Sequence, residues 1–294
     1  GRVRTELAAA SPPAVAAPGR HVARWRHDGS SYERLVVSCQ EAITRGDAYQ
    51  LCLTNTITVD GGFDPLEVYL RLRAGSPTHH GGFLRFGDLA LLSASPEQFL
   101  QVTPEGRVRT KPIKGTRPRG HSVARDVELR TELEASDKEQ AENLMIVDLM
   151  RNDLGRIAEL GTVSVTSLLA VESYAHVHQL VSTVEASLAS GLTAVDALRA
   201  CFPAGSMTGA PKISAMRILS ALEDGPRGIY SGAYGYVGVD GSLDLAMVIR
   251  SIVVAPGSAT IGTGGGITAL SVPAEEVEET RIKARALLAA LGAA

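Results

Sequence analysis

GIYSGAYGYVGV (residues 228–239), LDLAMVIRSIVVA (243–255) and ATIGTGGGI (259–267) follow one another near the end of the chain. These stretches are rich in β-branched, aromatic and small residues, which predicts three successive strands. PAEEVEETRIKARALLAAL (273–291) then finishes the chain with a helical pattern. Because strands are grouped between helices instead of alternating with them, the sequence favours an α+β fold over a doubly wound parallel sheet.

The earlier part of the chain repeats this mixture of elements. SYERLVVSCQEAITRGD (31–47) suggests a helix closed by Gly46, and AYQLCLTNTITV (48–59) suggests a strand. A helix near residues 65–74 and strands near 82–103 are expected to follow.

SDKEQAENLMIVDLMRNDL (136–154) has the pattern of a buried helix. Ser136 and Glu139 are spaced as a capping box, and the segment from Leu144 to Met150 is almost wholly apolar.

Composition excludes several classes of protein. The 294 residues are 45% hydrophobic, which is enough for a large core. A net charge of −3 does not provide the broad positive field of a nucleic-acid-binding protein. No apolar run reaches the length of a membrane span and no signal peptide is visible, so no membrane partner is expected.

The cysteines and the first residues indicate compartment and domain limits. Cys39, Cys52 and Cys201 are too few and too scattered for a disulfide framework, which favours a cytoplasmic protein with buried thiols. AAASPPAVAAPG (8–19) reads as a linker or leader. We therefore expect a linker over residues 1–31 and a single folded domain over residues 32–294.

RVRTKPIKGTRPRG (107–120) carries six cations in fourteen positions of a slightly acidic chain. A solvated charged face explains such a run about as well as a site for a small anion. The apolar Ile113 beside Lys114, the stiffening prolines and the permissive Gly115 favour the anion site.

Two predicted helices each place carboxylates on one face. Glu139 and Glu142 are three residues apart, and Glu276, Glu279 and Lys283 fall at i, i+3 and i+7. Two such helices facing each other could hold a hard cation such as Mg²⁺. Capping and favourable charge at a helix N-terminus explain each set equally well.

Two further motifs carry weaker signals. GTGGGI (262–267) offers backbone amides to an anion, although a tight turn after a strand explains it as well. His176 and His178 could share a strand face, but no third ligand at a suitable spacing supports a zinc site.

Taken together and in order, several motifs between about Tyr32 and Leu288 resemble those of the chorismate-utilising enzymes, whose members make anthranilate, isochorismate, salicylate or aminodeoxychorismate. The motifs are GDAYQLCLT, SASPEQFL, KPIKGTRPRG, DKEQAENLMIVDLMRNDLGR, VHQLVSTV, FPAGSMTGAPK, YSGAYGYVG, DLAMVIRS and GTGGGITALSVPAEEVEETRIKA. The resemblance implies a large α+β sandwich of mainly antiparallel sheets flanked by helices, with chorismate and Mg²⁺ between the sheets.

The resemblance also implies a role for particular residues. Glu142 and Glu279 match the family's metal ligands, and Glu139 and Glu276 match the carboxylates that support them. Glu97 matches the general acid. The positions matching substrate contacts are Gln50, Gly115, Thr116, Tyr230, Arg250, Gly264, Gly266 and Lys283, with Arg250 and Tyr230 holding the enolpyruvyl carboxylate.

Lys114 and Gln50 separate the family's activities. Members that make anthranilate usually have alanine at the position of Lys114, whereas lysine resembles the members that form 4-amino-4-deoxychorismate through a covalent lysine adduct. Such a nucleophile must be neutral, so we expect its pKa to be depressed. Members that add water carry a lysine base at the position of Gln50, so glutamine there favours ammonia.

Three alternatives and a partner follow from the resemblance. The leading activity is amination of chorismate at C4, its rival is anthranilate formation, and the third alternative is a chorismate-binding chain without turnover. Because the chain has no motif for a glutamine amidotransferase nucleophile, a partner subunit or fused domain is expected to supply ammonia. Gln179 stands where the family commonly has histidine, and His178 lies one place earlier.

Overall fold

The computed structural model describes residues 17–174 and 177–293, so the first sixteen residues of the predicted linker or leader (1–31) and His176 lie outside the described residues. The α-helices are α1 (Gly29–Thr44), α2 (Pro65–Gly75), α3 (Val123–Glu134), α4 (Asp137–Gly155), α5 (Ala194–Cys201), α6 (Lys212–Leu222) and α7 (Pro273–Leu291), with a 3₁₀ helix at Gly205–Met207. The strands are β1 (Ala23–Trp25), β2 (Gln50–Asp60), β3 (His80–Phe86), β4 (Leu89–Ser95), β5 (Gln98–Val102), β6 (Arg107–Thr110), β7 (Ile113–Pro118), β8 (Ser164–Ser173), β9 (Val177–Ser187), β10 (Gly209–Ala210), β11 (Ala233–Val237), β12 (Leu243–Met247), β13 (Ser251–Ala255) and β14 (Ser258–Ile267).

These strands form two seven-stranded sheets. The first sheet has the order β1-β2-β14-β13-β4-β3 with β10 also paired to β2, and the second has the order β11-β12-β5-β6-β9-β7 with β8 also paired to β9. The strand pairings of both sheets are antiparallel. The predicted α+β fold with antiparallel sheets and flanking helices is confirmed.

Helices pack on both sheets and bury their apolar faces. In the first sheet α7 packs on β14 and contacts α1 and α2, while α4 packs on β9 of the second sheet. The last helix buries an apolar stripe at Val277, Ala284, Leu288 and Leu291. None of the helices in the described ranges combines the length and apolar character needed to cross a bilayer.

LDLAMVIRSIVVA, read from the sequence as one strand-like stretch, is divided between the two sheets. Its first part is β12 in the second sheet and its last part is β13 in the first sheet. The chain changes sheets at Arg250, whose φ of 50° is in the left-handed region. A run of apolar residues does not reveal such a crossing, because both parts have the composition of a strand.

Two boundaries differ from the sequence prediction. Residues 23–31, assigned to the linker, include β1, which pairs with β2 at Ala23 and Val59, and the start of α1. The fold therefore begins nearer residue 23 than residue 32. In GIYSGAYGYVGV only Ala233–Val237 is a strand.

The capping box predicted at the start of α4 is wrong. Ser136 occupies the N-cap position, but its side chain makes no capping hydrogen bond. Glu139 lies instead near the guanidinium of Arg117, at 3.8 Å. A cationic partner from β7 replaces the local contact that the sequence spacing suggested.

Arg227 ties three distant parts of the chain together. Its guanidinium donates to the Glu223 carboxylate at the end of α6, at 2.6 and 2.8 Å, to the Cys52 carbonyl of β2 at 2.9 Å, and to the Met207 carbonyl at 2.5 Å. Glu223, itself buried, also accepts the Thr54 amide at 2.9 Å. Both charges are thus compensated inside the protein.

We predict that Arg227→Met destabilises the fold by roughly 3 to 5 kcal/mol, because the Glu223 carboxylate would remain buried without its partner. Urea unfolding measures this change. The matched control is Arg24→Met, which breaks a pair with Asp60 whose side chains are 65% and 63% exposed, and should cost less than about 1 kcal/mol. Equal losses of unfolding free energy in the two variants would contradict the conclusion that Arg227 compensates the buried charge of Glu223.

Candidate active site

The glycine-rich segment GTGGGI lies within β14 and is therefore neither an isolated anion-binding loop nor a tight turn. It pairs with β2 on one side, while the β13 ladder on the other side stops at Ile261. The Gly264 carbonyl accepts a hydrogen bond from Lys283 Nζ at 2.7 Å, so this residue faces away from β2. Since the backbone direction repeats every second residue, the amides of Gly264 and Gly266 both face this open edge.

Gly266 lies where three residues from distant parts of the sequence meet. A Cβ atom at this position would lie 2.4 Å from Gln50 Nε2 and 3.2 Å from both Glu142 Oε2 and Lys114 Nζ. The bare backbone therefore lets these three side chains converge. Gln50 is only 1% exposed, and within the described residues neither polar atom of its amide has a hydrogen-bond partner.

The neighbouring Gly265 gives the same access to the carboxylates of α7. A Cβ atom there would lie 2.9 Å from Glu276 Oε2 and 3.3 Å from Glu279 Oε1. Glu276 is 2% exposed, and its Oε1 accepts the Ser271 hydroxyl at 2.7 Å. Its Oε2 has no hydrogen-bond partner in the described part of the chain. An unpartnered buried carboxylate oxygen is a suitable ligand for a hard cation.

Each of the four carboxylates that were predicted to bind or support a metal ion faces a cationic side chain. The pairs are Glu142 with Lys114 at 3.4 Å, Glu276 with Lys138 at 3.3 Å, Glu279 with Lys283 at 2.5 Å, and Glu139 with Arg117 at 3.8 Å. Among residues 17–174 and 177–293, no three histidine, cysteine, aspartate or glutamate side chains converge closely enough to hold a metal ion. The donor chemistry fits Mg²⁺, but the carboxylates are turned toward ammonium and guanidinium groups.

The expected depression of the Lys114 pKa is not found. Burial works against the charged amine, but the nearby Glu142, Glu97 and Glu279 carboxylates, with Cys52, outweigh it and raise the pKa of Lys114. Lys138 behaves in the same way, since burial is outweighed chiefly by Glu276 and its pKa is raised. In this structure both lysines are ammonium ions at neutral pH.

Glu97 is a buried carboxyl group poised near neutral pH. Burial raises its pKa to about 7, against the opposing effects of a hydrogen bond from Ser206 and of the cations Lys114 and Lys283. Ser206 Oγ donates to Glu97 Oε1 at 2.9 Å. A group with this pKa exchanges protons readily at neutral pH, as a general acid must.

Arg250 lies at the sheet crossing, and Tyr230 packs against β14. A Cβ atom at Gly262 would overlap the Tyr230 ring, at 2.0 Å from Cγ, so the absence of a side chain there seats the ring against β14. Burial raises the pKa of Tyr230 and lowers that of Arg250. Within the described ranges the Arg250 guanidinium has neither a hydrogen bond nor an ion pair, which leaves its five donors available to an anionic ligand.

The cationic stretch at residues 107–120 divides into structural and site residues. It forms strands β6 and β7, and its outward cations pair with acidic side chains: Arg109 with Glu185, Lys111 with Glu172, Arg117 with Glu132, and Arg119 with Asp126. Lys114 instead turns inward to Glu142. A charged outer face therefore describes most of this stretch. Lys114 is the residue of the stretch to which the anion-site interpretation still applies.

Gly115 and Thr116, also predicted to contact substrate, lie beside Lys114 on β7. Gly115 has a φ of 77°, and a Cβ atom there would lie 2.7 Å from Leu133 Cδ1. Thr116 pairs across β7 and β9 with the buried Gln179. The left-handed backbone at Gly115 produces the register shift that separates Lys114 from Thr116.

His178 contacts protein side chains through both ring nitrogens and belongs to no group of three metal-ligating side chains among the described residues. Its Nε2 lies 3.0 Å from Asp126 Oδ1, and its Nδ1 lies 2.8 Å from Ser173 Oγ.

The sequence did not indicate two other contacts of the candidate site, the one between Ser206 and Glu97 and the one between Lys138 and Glu276. Ser206 belongs to the FPAGSMTGAPK motif and Lys138 directly precedes Glu139, but nothing in the spacing reveals their partners.

Residues 3–289 match the chorismate binding enzyme family. An aminodeoxychorismate synthase of Streptomyces pristinaespiralis is 50% identical over 267 residues, which are 91% of this chain and 37% of that protein. An anthranilate synthase component 1 of Streptomyces coelicolor is 45% identical over 95% of this chain and 55% of its own length. The chain thus spans 37% of the length of the first relative and 55% of the length of the second.

A solved structure shares the fold. The crystal structure of anthranilate synthase component I from Streptococcus pneumoniae superposes with a TM-score of 0.84 at 35% identity, covering 97% of this chain and 64% of that one.

The raised pKa of Glu97 makes stability depend on pH. Between the ordinary pKa of 4.5 and about 7, the folded state holds a proton that the unfolded state has lost, so stability falls as pH rises through this window. We predict that the free energy of unfolding of Glu97→Gln, measured relative to that of the parent, rises by roughly 2 kcal/mol between pH 5 and pH 8, because the variant lacks the carboxyl group that loses its proton. Urea unfolding at the two pH values measures it.

The same substitution at the exposed Glu159 controls for the change in net charge. A Glu97→Gln difference that stays constant with pH would show that this carboxyl group does not have a raised pKa.

Proposed function

The chain belongs to the chorismate binding enzyme family, and on that premise we propose that it converts chorismate and ammonia into 4-amino-4-deoxychorismate. The name of the Streptomyces pristinaespiralis relative supports this activity. The observation that carries the proposal is the position of Lys114, whose amine lies beside Gln50, Glu142 and the bare backbone of Gly266. A lysine directed to the solvent would not support it.

Lys114 is the proposed nucleophile. Its neutral amine would attack C2 of the chorismate ring as the C4–O bond breaks, with Glu97 donating the proton that lets the hydroxyl leave as water. Ammonia then adds at C4, the Nζ–C2 bond breaks, and the amine of Lys114 is restored. Because Lys114 is an ammonium ion beside Glu142 in this structure, it must lose a proton before it attacks.

Cationic and amide donors would hold the two carboxylates of chorismate. Arg250 has no partner in the described residues, so its planar guanidinium is free to bind a carboxylate with two hydrogen bonds. Tyr230 packs against β14 at Gly262, and the Gly264 and Gly266 amides face the open edge of the same strand together with Lys283. These groups support the assignment of this region as the substrate site.

We also propose Mg²⁺ as the cofactor. Glu142 and Glu279 would hold the ion, with Glu139 and Glu276 supporting it, because carboxylate oxygens are the ligands that Mg²⁺ prefers. When bound, the ion would neutralise and orient a carboxylate of the substrate. The unpartnered Oε2 of Glu276 supports a cation at this place.

Gln50 and the cysteines bear on the source of nitrogen. A neutral amide is no base for activating water, so Gln50 favours ammonia over water as the incoming group. Burial raises the pKa of all three thiols, to about 12 for Cys39 and Cys201. Since a glutamine amidotransferase needs an activated thiolate, we propose that another domain or subunit releases ammonia from glutamine.

Anthranilate formation is the second candidate, and the Streptomyces coelicolor relative supports it. The two products differ in the carbon that receives nitrogen, C4 in the first case and C2 in the second. A covalent lysine at C2 blocks that carbon, so the inward position of Lys114 favours amination at C4.

We predict that Lys114→Ala lowers kcat for 4-amino-4-deoxychorismate at least a hundredfold at saturating chorismate, because the adduct cannot form. Mass spectrometry of the product and of the intact enzyme without ammonia tests this. The parent protein should show a chorismate-derived adduct, and traces of anthranilate-type product are expected from the variant.

Lys114→Arg is the control for charge, since it keeps a cation beside Glu142 without a comparable nucleophile. It should also fail to form product while still binding chorismate. Near-normal kcat with the same product in either variant would refute the nucleophile.

We predict that the chain uses ammonium salts but not glutamine as its nitrogen source, because none of its thiols has the setting of a nucleophile. Product formation with each source, at equal concentrations, measures this preference. Glutamine-dependent turnover by the pure chain would overturn the prediction.

A further inference from the structure

Lys138 is the one cation of the carboxylate cluster without another proposed role. Lys114 is the proposed nucleophile, Lys283 also donates to the Gly264 carbonyl, and Arg117 also pairs with Glu132. The Lys138 ammonium makes its hydrogen-bonded ion pair with Glu276, at 3.3 Å from Oε1, and the carboxylates of Glu142 and Glu279 add smaller effects that also raise its pKa. The ion pair with Glu276 is therefore the contact through which Lys138 acts most directly on the site.

The contact between Lys138 and Glu276 is one that can be given up. The same Oε1 already accepts a shorter hydrogen bond, 2.7 Å, from the Ser271 hydroxyl. The Lys138 side chain is 38% exposed, whereas that of Glu276 is 1% exposed. The ammonium can therefore move into water on its flexible stem while the carboxylate stays in place.

The carboxylate that Lys138 neutralises also has an oxygen available for a cation. Glu276 Oε2 is buried and has no hydrogen-bond partner among the described residues, and it lies near Glu279 at the bare backbone of Gly265. A divalent cation bound there and the ammonium of Lys138 would both be attracted to one buried negative charge. Their binding is therefore mutually unfavourable.

We propose that Lys138 is an internal competitor of the divalent cation: its ammonium neutralises Glu276, and it must withdraw for the cation to bind at full strength. The inference rests on the proposed Mg²⁺ site. Lys138 would make the buried carboxylates tolerable in the folded protein without a metal, at the expense of cation affinity. It is a residue that tunes the site without touching the substrate.

Direct cation binding tests this proposal independently of activity. Mg²⁺ titrations by calorimetry, and Mn²⁺ titrations followed by the loss of the free-ion electron paramagnetic resonance signal, give Kd at fixed pH and ionic strength. Lys138→Gln should bind each ion about fivefold more tightly, the change expected from losing one partly exposed ion pair. Lys138→Arg keeps the charge and should leave Kd within twofold of the parent value.

Lys111→Gln is the matched control. It removes the same charge from another partly exposed pair, that with Glu172, where the side chains are 28% and 34% exposed. Its Kd should stay within twofold. A double variant provides the second check, since Lys138→Gln should have less effect when Glu276 is already glutamine.

The outcomes separate the inference from the proposed function. Parent protein that binds neither ion refutes the Mg²⁺ site and with it this role of Lys138. Parent protein that binds the ions, with Lys138→Gln unchanged or weaker, overturns the competitor role alone. Equal tightening in Lys111→Gln also overturns it, because the effect would then reflect net charge instead of the contact with Glu276.

Discussion

The absence of side chains at Gly264, Gly265 and Gly266 of β14 is the constraint on which the candidate site depends. Cβ atoms at Gly264, Gly265 and Gly266 would lie 2.3 Å from the Leu53 carbonyl, 2.9 Å from Glu276 Oε2 and 2.4 Å from Gln50 Nε2. Residues with side chains would force these groups apart. Glycine weakens a strand, but here β2 pairs along the whole segment and supports it.

That close approach places several carboxylates in a poorly solvated region, and their charge must be balanced. Isolated buried carboxylates would be protonated or would destabilise the fold. The protein supplies cations from three elements: β7, the start of α4, and the middle of α7. The network therefore serves folding as well as chemistry, and a cation that binds to the carboxylates replaces interactions that already exist.

Local patterns in the sequence predicted the parts of the fold that local forces decide. The helical pattern of α7, the strand over ATIGTGGGI and the spacing of the carboxylates follow from periodicity and residue type. The sheet crossing at Arg250 did not, because strand composition continues on both sides of it. Ion pairs were equally inaccessible: Lys111 and Glu172 are 61 positions apart, so their contact exists only through the folded sheet. The residues of the candidate site were proposed through motif resemblance, whereas the ion pairs that they form could not be predicted in that way.

The lysine at position 114 has consequences for charge as well as for bond formation. Its ammonium faces Glu142, which is buried, so an alanine here would remove a partner from that carboxylate at the same time as it removes the amine. A chain with alanine at this position needs another positive charge near Glu142. In the proposed function, the identity of residue 114 would separate the two chemistries through two linked properties, the availability of a nucleophile and the charge left on the carboxylate beside it.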